Sequence, residues 1–507
     1  MQDNLLSDLQ LGTIEFFDAR TKTKTVYTSE EQRKLDLLYQ ELTKGIEFTP
    51  DNIAKLINYN CTDAGNAELF RDIVGENYRY VPELGKWLKF NGVRWIEASE
   101  ETKLQMLAVI RRRIDAANEL LKAQNDELRA KIIKWSLASE SDSRLKSALA
   151  IAQCMLYKHF TEFDKDRFLL CVANGAIDLK LDSDGFRKAK PEDHLYKRSH
   201  VKYDLYADCP RWLQFLDEIF LGNKELIAFI QKAVGYTLTG SISAQCFFIL
   251  YGTGANGKSV FLTILQSLMG DFAITTSMDT FKDRKFKGNP QIPNDLAALY
   301  GKRFVKASEL KENTRIDEER IKALTGEEEI QARYLYHEPF NFMPEFKIWL
   351  GVNHKPVIRG TDEAIWRRPK LIPFEAYFPP ENRDENLLDT LKTELPGILL
   401  WAVEGCHKWQ REGLDFPEKV IKATNGYREE SDIVGRFLGE CTVHGNGCKV
   451  KAKELYEAYK KWCEDSGEYA INQKNFGMKL TEKGYEKKRS NSDGSYCYTT
   501  IGLLDNY

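Results

Sequence analysis

Gly252-Thr-Gly-Ala-Asn-Gly-Lys-Ser259 constrains this chain more than any other stretch, because it satisfies GxxxxGK[ST] in full and stands between a strand-like run and a helix-like one. The run before it, Cys246 to Gly252 (CFFILYG), is apolar and β-prone, and SVFLTILQSLMG, opening at Ser259, has helical periodicity. Glycines allow close backbone approach, so amides and a helix N-terminus can surround phosphate oxygens. Lys258 adds a charge at the β and γ phosphates, and Ser259 can ligate Mg²⁺. Gly252, Thr253, Gly254, Ala255, Asn256, Gly257, Lys258, Ser259 and Val260 are therefore the candidate residues for ATP and Mg²⁺.

Two further β-prone runs follow, Arg303 to Leu310 (RFVKASEL) and Phe346 to Asn353 (FKIWLGVN). Alternating strand and helix predicts an α/β domain with a parallel sheet. Glu309, at the end of the first run, is placed to activate water or to complete the Mg²⁺ shell. Asn353, closing the second, is placed to polarise that water or to contact the γ phosphate. Singly, each has a plainer reading, a surface Glu and a turn-forming Asn. Order and spacing carry the functional one.

A chain of 507 residues is too long for one core, so about two to four domains are expected. Its 42% apolar and 29% charged residues are those of an ordinary globular protein. With a net charge of only -3, nucleic acid would have to be held by local basic patches or a ring lumen. None of the ten cysteines forms a CxxC pair, and Cys441, His444 and Cys448 lack a second ligand pair at zinc-finger spacing. The start MQDNLLSDLQ has no cationic segment followed by an apolar run, and no apolar stretch of about eighteen residues occurs. Together with unpaired cysteines, this points to a cytoplasmic protein without a membrane span.

Upstream, residues 1–74 show helical periodicity in EEQRKLDLLYQELTKG but no cluster suggesting chemistry. Arg79 to Ser99 predicts short strands turning at Gly85 and Asn91-Gly92, and Glu101 to Phe160 a long helical tract. Asn174 to Asp204 reads as strands and turns, Trp212 to Gly240 as helices. After about Asn425 the pattern becomes helix, helix and terminal β-ribbon, an order that suits a winged helix. Lys474, Lys479, Lys483, Lys487, Lys488 and Arg489 lie on or after its second helix, where a recognition helix and basic wing would bind duplex DNA; Glu482 and Glu486 dilute that charge.

The series GTGANGKS, RFVKASEL, TGEEEIQARYLYHEPFNFMPEFKIWLGVNHKP and DEAIWRRPKLIPF resembles superfamily 3 helicases, most closely the phage and plasmid primase-helicase family that includes the poxvirus primase-helicase. NGAIDL and VGYTLTG look like that family's pre-helicase region. The resemblance implies an AAA+ P-loop ATPase core (212–424), a preceding, mostly helical α+β domain (75–211) and a C-terminal winged helix (425–507). It implies a homo-hexameric ring translocating 3′ to 5′ on single-stranded and forked DNA, and replication initiation for a phage, plasmid or chromosomal island, with duplex origin DNA as a further partner.

The family pattern assigns Lys258 and Ser259 to phosphate and Mg²⁺, Glu309 to the Walker B carboxylate and Asn353 to the sensor. Arg367 or Arg368, with Arg368 favoured, is expected to act on a neighbouring subunit's nucleotide. Arg333, Tyr336 and His337 belong to the expected DNA-contacting hairpin. One departure is Ser308, where many members carry a second acid. The alternatives are the helicase part of a primase-helicase, a DNA-packaging ATPase and a small-molecule kinase. Priming would need an upstream metal-binding domain for which the first seventy or so residues look too short, so no primase activity is expected of this chain.

Overall fold

The Ala- and Leu-rich spacing between Glu101 and Phe160 is realised as three helices, Ser99–Leu121, Asp126–Ser139 and Asp142–Met155, in the computed structural model. Residues 1–13, 18–23, 28–29, 31–32, 38–39, 41–49, 122–124, 284–293, 309–313, 335–337, 361, 490–494 and 505–507 lie outside those the structure describes. The chain divides into two units, Met1–Asp178 with Asp184–Arg198, and Leu179–Ser183 with Ser199–Tyr507. No described helix is long and apolar enough to cross a membrane.

The first unit begins with an antiparallel pair, β1 (Ile14–Phe17) and β2 (Lys24–Tyr27). Two three-stranded sheets flank the helices. β3 (Tyr78–Val81), β4 (Lys86–Phe90) and β5 (Trp95–Glu97) form a meander turning at the two sites expected, and β6 (Leu169–Val172), β7 (Gly175–Asp178) and β8 (Phe186–Arg187) form another. Leu104, Met106, Leu107, Ala108, Val109 and Ile110 of Ser99–Leu121 are all buried, in a core with Leu69, Phe70 and Leu145, so this stretch of the helix is enclosed on every side and not along one apolar stripe.

In the second unit, the three runs expected to be strands are strands, β9 (Phe247–Tyr251), β11 (Phe304–Ser308) and, past the short β12 (Ile330–Ala332) and β13 (Phe340–Phe342), β14 (Lys347–Val352); β10 (Ala273–Thr275), before β11, and β15 (Pro369–Pro373), after β14, were not foreseen. Five of them pair in parallel in the order β10-β11-β14-β9-β15, leaving β12 and β13 as a separate antiparallel hairpin. These strands are near-continuously apolar because both faces are covered. Phe247, Ile249, Val305, Ala307, Ile348 and Leu350 face one core. On the other face Phe248 packs on Trp349 at 4.2 Å and on Phe229 at 6.3 Å, while Trp212 stacks on Phe261 at 5.7 Å. The helices read between Trp212 and Gly240, observed as Pro210–Ile219 and Lys224–Leu238, thus cover the sheet.

At the opposite strand ends two buried cations meet the C-terminus of Lys224–Leu238. Arg303 donates to the Leu238 carbonyl at 2.7 Å, and Lys347 to those of Thr239, Ser241 (3.1 Å) and Glu345 (3.2 Å). Burial holds the Lys347 ammonium well below its usual pKa, and the partners it retains are the carbonyls and dipole of a helix end.

The C-terminal residues fold as helices Ile433–Cys441, Ala452–Asp465 and Gln473–Glu482, with β16 (Thr442–Lys451), β17 (Lys487–Arg489) and β18 (Tyr496–Leu503) in the order β16-β18-β17. The two later helices and the ribbon match expectation, whereas Ile433–Cys441 and β16 were not foreseen. β16 runs through Gly445-Asn446-Gly447, and its ladder with β18 shifts register there, between His444 and Lys449. His444 contacts Thr442 (3.2 Å) and Tyr485 (3.0 Å), and among the described residues no group of three His, Cys, Asp or Glu could hold a metal.

Candidate functional site

The loop after β9 is built so that only particular residues fit. A Cβ at Gly252 would come within 2.2 Å of Asn256 Nδ2 and 2.4 Å of the Phe374 carbonyl. Gly257, at φ +85°, also leaves no room, since a Cβ there would meet Ile219 at 2.5 Å. Gly254 and Ala255 also have positive φ, +118° and +48°. Such alternation turns successive N–H groups toward one concavity, which can receive an anion. Helix Lys258–Met269 opens immediately after, adding the free amides of its first turn.

Lys258 is buried at 6% exposure and donates to the Gly252 carbonyl at 2.7 Å and to Asn256 Oδ1 at 2.9 Å. Burial alone pulls its pKa down to about 8. Thr253, Ala255 and Ser259 are exposed, Gly254 and Val260 partly so. The loop is fastened on both flanks: Gly252 N–H to Val352, Phe374 N–H to Tyr251 and Phe378 N–H to Ala255, at 3.4, 2.8 and 2.8 Å.

Parallel registry brings the other candidates to the same edge. Val352 pairs with Tyr251, so Asn353, exposed, follows β14 beside the start of the loop; Ser308 pairs with Gly351, ending β11 at the same level. Glu309 lies outside the described residues.

The two arginines separate sharply. Arg368 is buried at 6% exposure, with Nε bonded to Thr325 Oγ1 at 3.0 Å and Nη1 to the Ala364 carbonyl. Arg367 is exposed, its guanidinium resting on Gln245 Oε1 at 2.7 Å. The preference for Arg368 as a group that reaches another molecule therefore runs against its packing: it would have to abandon buried partners, whereas Arg367 need release one exposed contact.

Of the expected hairpin, β12 and β13 are present. Arg333, half-buried, comes just after β12 and not on the strand, and Tyr336 and His337 lie outside the described residues. In the C-terminal segment Lys474, Lys487, Lys488 and Arg489 are exposed. Lys479 is turned inward: it donates to the Arg359 carbonyl at 2.7 Å, and burial lowers its pKa. Lys483 pairs with Asp432. These two lysines hold the protein's own segments together, so the basic surface is narrower than the sequence suggested.

One arrangement has no local sequence signal. Residues 355–359, which follow Asn353, are gripped by the C-terminal segment: Lys355 pairs with Glu430 at 2.6 Å, Tyr427 donates to the Pro356 carbonyl, and Lys479 holds Arg359. Lys355 also lies over the Tyr251 ring at 5.0 Å, at the end of β9.

Residues 67–221 match the family described as D5 N terminal like, 250–368 a family of unknown function, and 429–502 the family described as poxvirus D5 protein-like. Two segments of the chain are thus similar to D5 proteins. A protein of Acanthamoeba polyphaga mimivirus, provisionally named helicase L207/L206, is 26% identical over 90% of this chain and 49% of its own length. The Primase D5 of Fowlpox virus (strain NVSL) is 35% identical over 31% of this chain and 19% of its own length. The chain thus spans about half the length of the mimivirus relative and less of the fowlpox one. The apo structure of the NrS-1 C-terminal region aligns with 86% of this chain and 99% of its own at 10% identity, with a TM-score of 0.46, too low to carry a fold argument.

Proposed function

We propose that this chain is an ATP-hydrolysing DNA helicase with an AAA+ P-loop core, working as a homo-hexameric ring in replication of a mobile element. The observation that carries this reading is the convergence, at the carboxyl edge of a parallel sheet, of the Gly252–Ser259 loop and the ends of β11 and β14. The helicase names of its relatives support the DNA part. Within the two units, we place the ATPase at 212–424, a DNA-binding winged helix at 425–507, and a helical domain at 75–211 behind an N-terminal segment.

ATP, when bound, supplies the phosphoanhydride whose cleavage drives the cycle. Loop and helix amides would hold phosphate oxygens, Lys258 would offset their charge, and Ser259 would hold Mg²⁺. Asn353 would orient water, Glu309 would activate that water or complete the Mg²⁺ shell, and Arg367 of one copy would reach the site of the next. Arg333, Tyr336 and His337 would track single-stranded DNA in the lumen, moving 3′ to 5′. The decisive experiment is ATP-dependent unwinding of a forked duplex, with hydrolysis stimulated by single-stranded DNA. ATP turnover by isolated single chains, indifferent to DNA, would remove the proposal. The name Primase D5 favours a second reading, the helicase part of a larger primase-helicase.

Lys258 gives this reading a pH signature. The charged ammonium is the form that holds phosphate, and its pKa in the free protein is about 8. Binding above that pH must take up a proton, so affinity falls as pH rises, approaching about tenfold per unit. Titration of ATP without divalent metal should show a flat Kd below about pH 7 and this loss above pH 8. A Kd unchanged to about pH 10 would contradict it.

The exposed Lys487 and Lys488 make a second test. Replacing both with Glu should weaken binding of the full chain to duplex origin DNA by about tenfold or more at low salt. Lys479→Glu should instead lower the melting temperature, since that side chain bonds internally. Electrophoretic shifts without any preference for element sequence would remove origin binding.

A further inference from the structure

We infer that Asn256 is a positioning residue: its buried carboxamide holds the Lys258 ammonium in the loop and buckles the loop to the Phe374 carbonyl, at the far end of the strand that starts beside Arg367. This rests on the loop being the ATP site.

Asn256 is 3% exposed, and its two ends are committed to different partners. Nδ2 donates to Phe374 O at 3.2 Å, while Oδ1 accepts from Lys258 Nζ at 2.9 Å. The neighbours dictate this orientation, because a flipped amide would set oxygen against oxygen and donor against ammonium. With Oδ1 on Lys258 and Nδ2 on Phe374, the side chain braces the residue that meets phosphate. No other type serves as well: Asp keeps the acceptor and loses the donor, Leu loses both, and Gln is too long for a site that already excludes a Cβ at Gly252.

The second anchor has a consequence for communication. Phe374 follows β15, whose first residue, Pro369, comes two after Arg367. The strap onto a subunit's own loop and the arginine offered to a neighbour therefore stand at opposite ends of one five-residue strand. Displacement of the loop when phosphate engages Lys258 would be transmitted along β15 by the Asn256 to Phe374 bond.

A double-mutant cycle on the full chain tests the brace, with mant-ADP affinity read to millimolar concentrations in the wild type, Asn256→Ala, Lys258→Ala and the double variant. Acting through Lys258, Asn256→Ala should weaken binding about tenfold alone and add almost nothing in the Lys258→Ala background. Equal losses in both backgrounds, as a direct ligand or a general loosening would give, overturn the inference, as does no loss in either. Should Asn256→Ala fail to fold, the neutral Asn256→Ser enters the same cycle, with the same loss expected alone and almost none in the Lys258→Ala background. If Lys258→Ala binds nucleotide as tightly as wild type, the ATP-site reading itself falls and takes the inference with it.

Discussion

Lys258→Ala is expected to lower ATP turnover by about a hundredfold to a thousandfold, the usual cost of removing one charge-stabilising donor from a preorganised site. The loop offers no substitute. Its other elements are amides and small residues, while the buried Arg303 and Lys347 are bonded to carbonyls at the end of Lys224–Leu238 at the far ends of the strands, and the buried Arg368 to Thr325 and Ala364. Stability should not suffer in parallel, because burial already disfavours the Lys258 charge and its partners are two oxygens of the loop itself. A coupled ATPase assay beside a thermal melt therefore reads chemistry and fold separately. Wild-type turnover in the variant would mean that ATP is hydrolysed elsewhere.

Arg367→Ala should lose about a thousandfold in kcat, the scale set by arginines supplied to a transferring phosphoryl group, while keeping nucleotide affinity and melting temperature. Arg368→Ala should behave oppositely. Removing a buried guanidinium strips partners from Thr325 and from the Ala364 carbonyl, at a cost of about 1–3 kcal/mol, so the melting temperature should drop. Mixing Arg367→Ala with Lys258→Ala should restore some turnover, because interfaces would then form between an intact loop and an intact arginine. Loss of kcat in Arg368→Ala at unchanged stability would return the role to Arg368. Full activity in both variants would exclude an arginine supplied by a neighbour.

The grip of Tyr427, Glu430 and Lys479 on the segment after Asn353 joins the loop edge of the parallel sheet to the C-terminal helices within one unit.

Much of this was legible in residue order alone. A strand, a glycine-bounded loop and a helix follow from a run of β-formers, GxxxxGK[ST] and a three-to-four apolar spacing, and the structure has each where it was expected, as β9, the loop and Lys258–Met269. The runs ending at Ser308 and Val352 were equally readable, because strands buried on both faces must be continuously apolar. Local spacing is silent on which side of a turn a polar residue faces. Arg367 and Arg368 are adjacent and chemically identical, yet one is exposed and the other enclosed by Thr325 and Ala364, since neighbouring residues point in different directions and only the packing decides which direction is inward. For the same reason Lys479 turned from a surface cation into a clamp on Arg359. Residue types and spacings along the chain determined the chemistry available at the sheet edge. Contacts between residues more than a hundred positions apart, such as Asn256 with Phe374 and Lys479 with Arg359, decided which groups remain free to use it, because they depend on a three-dimensional register that no local pattern encodes.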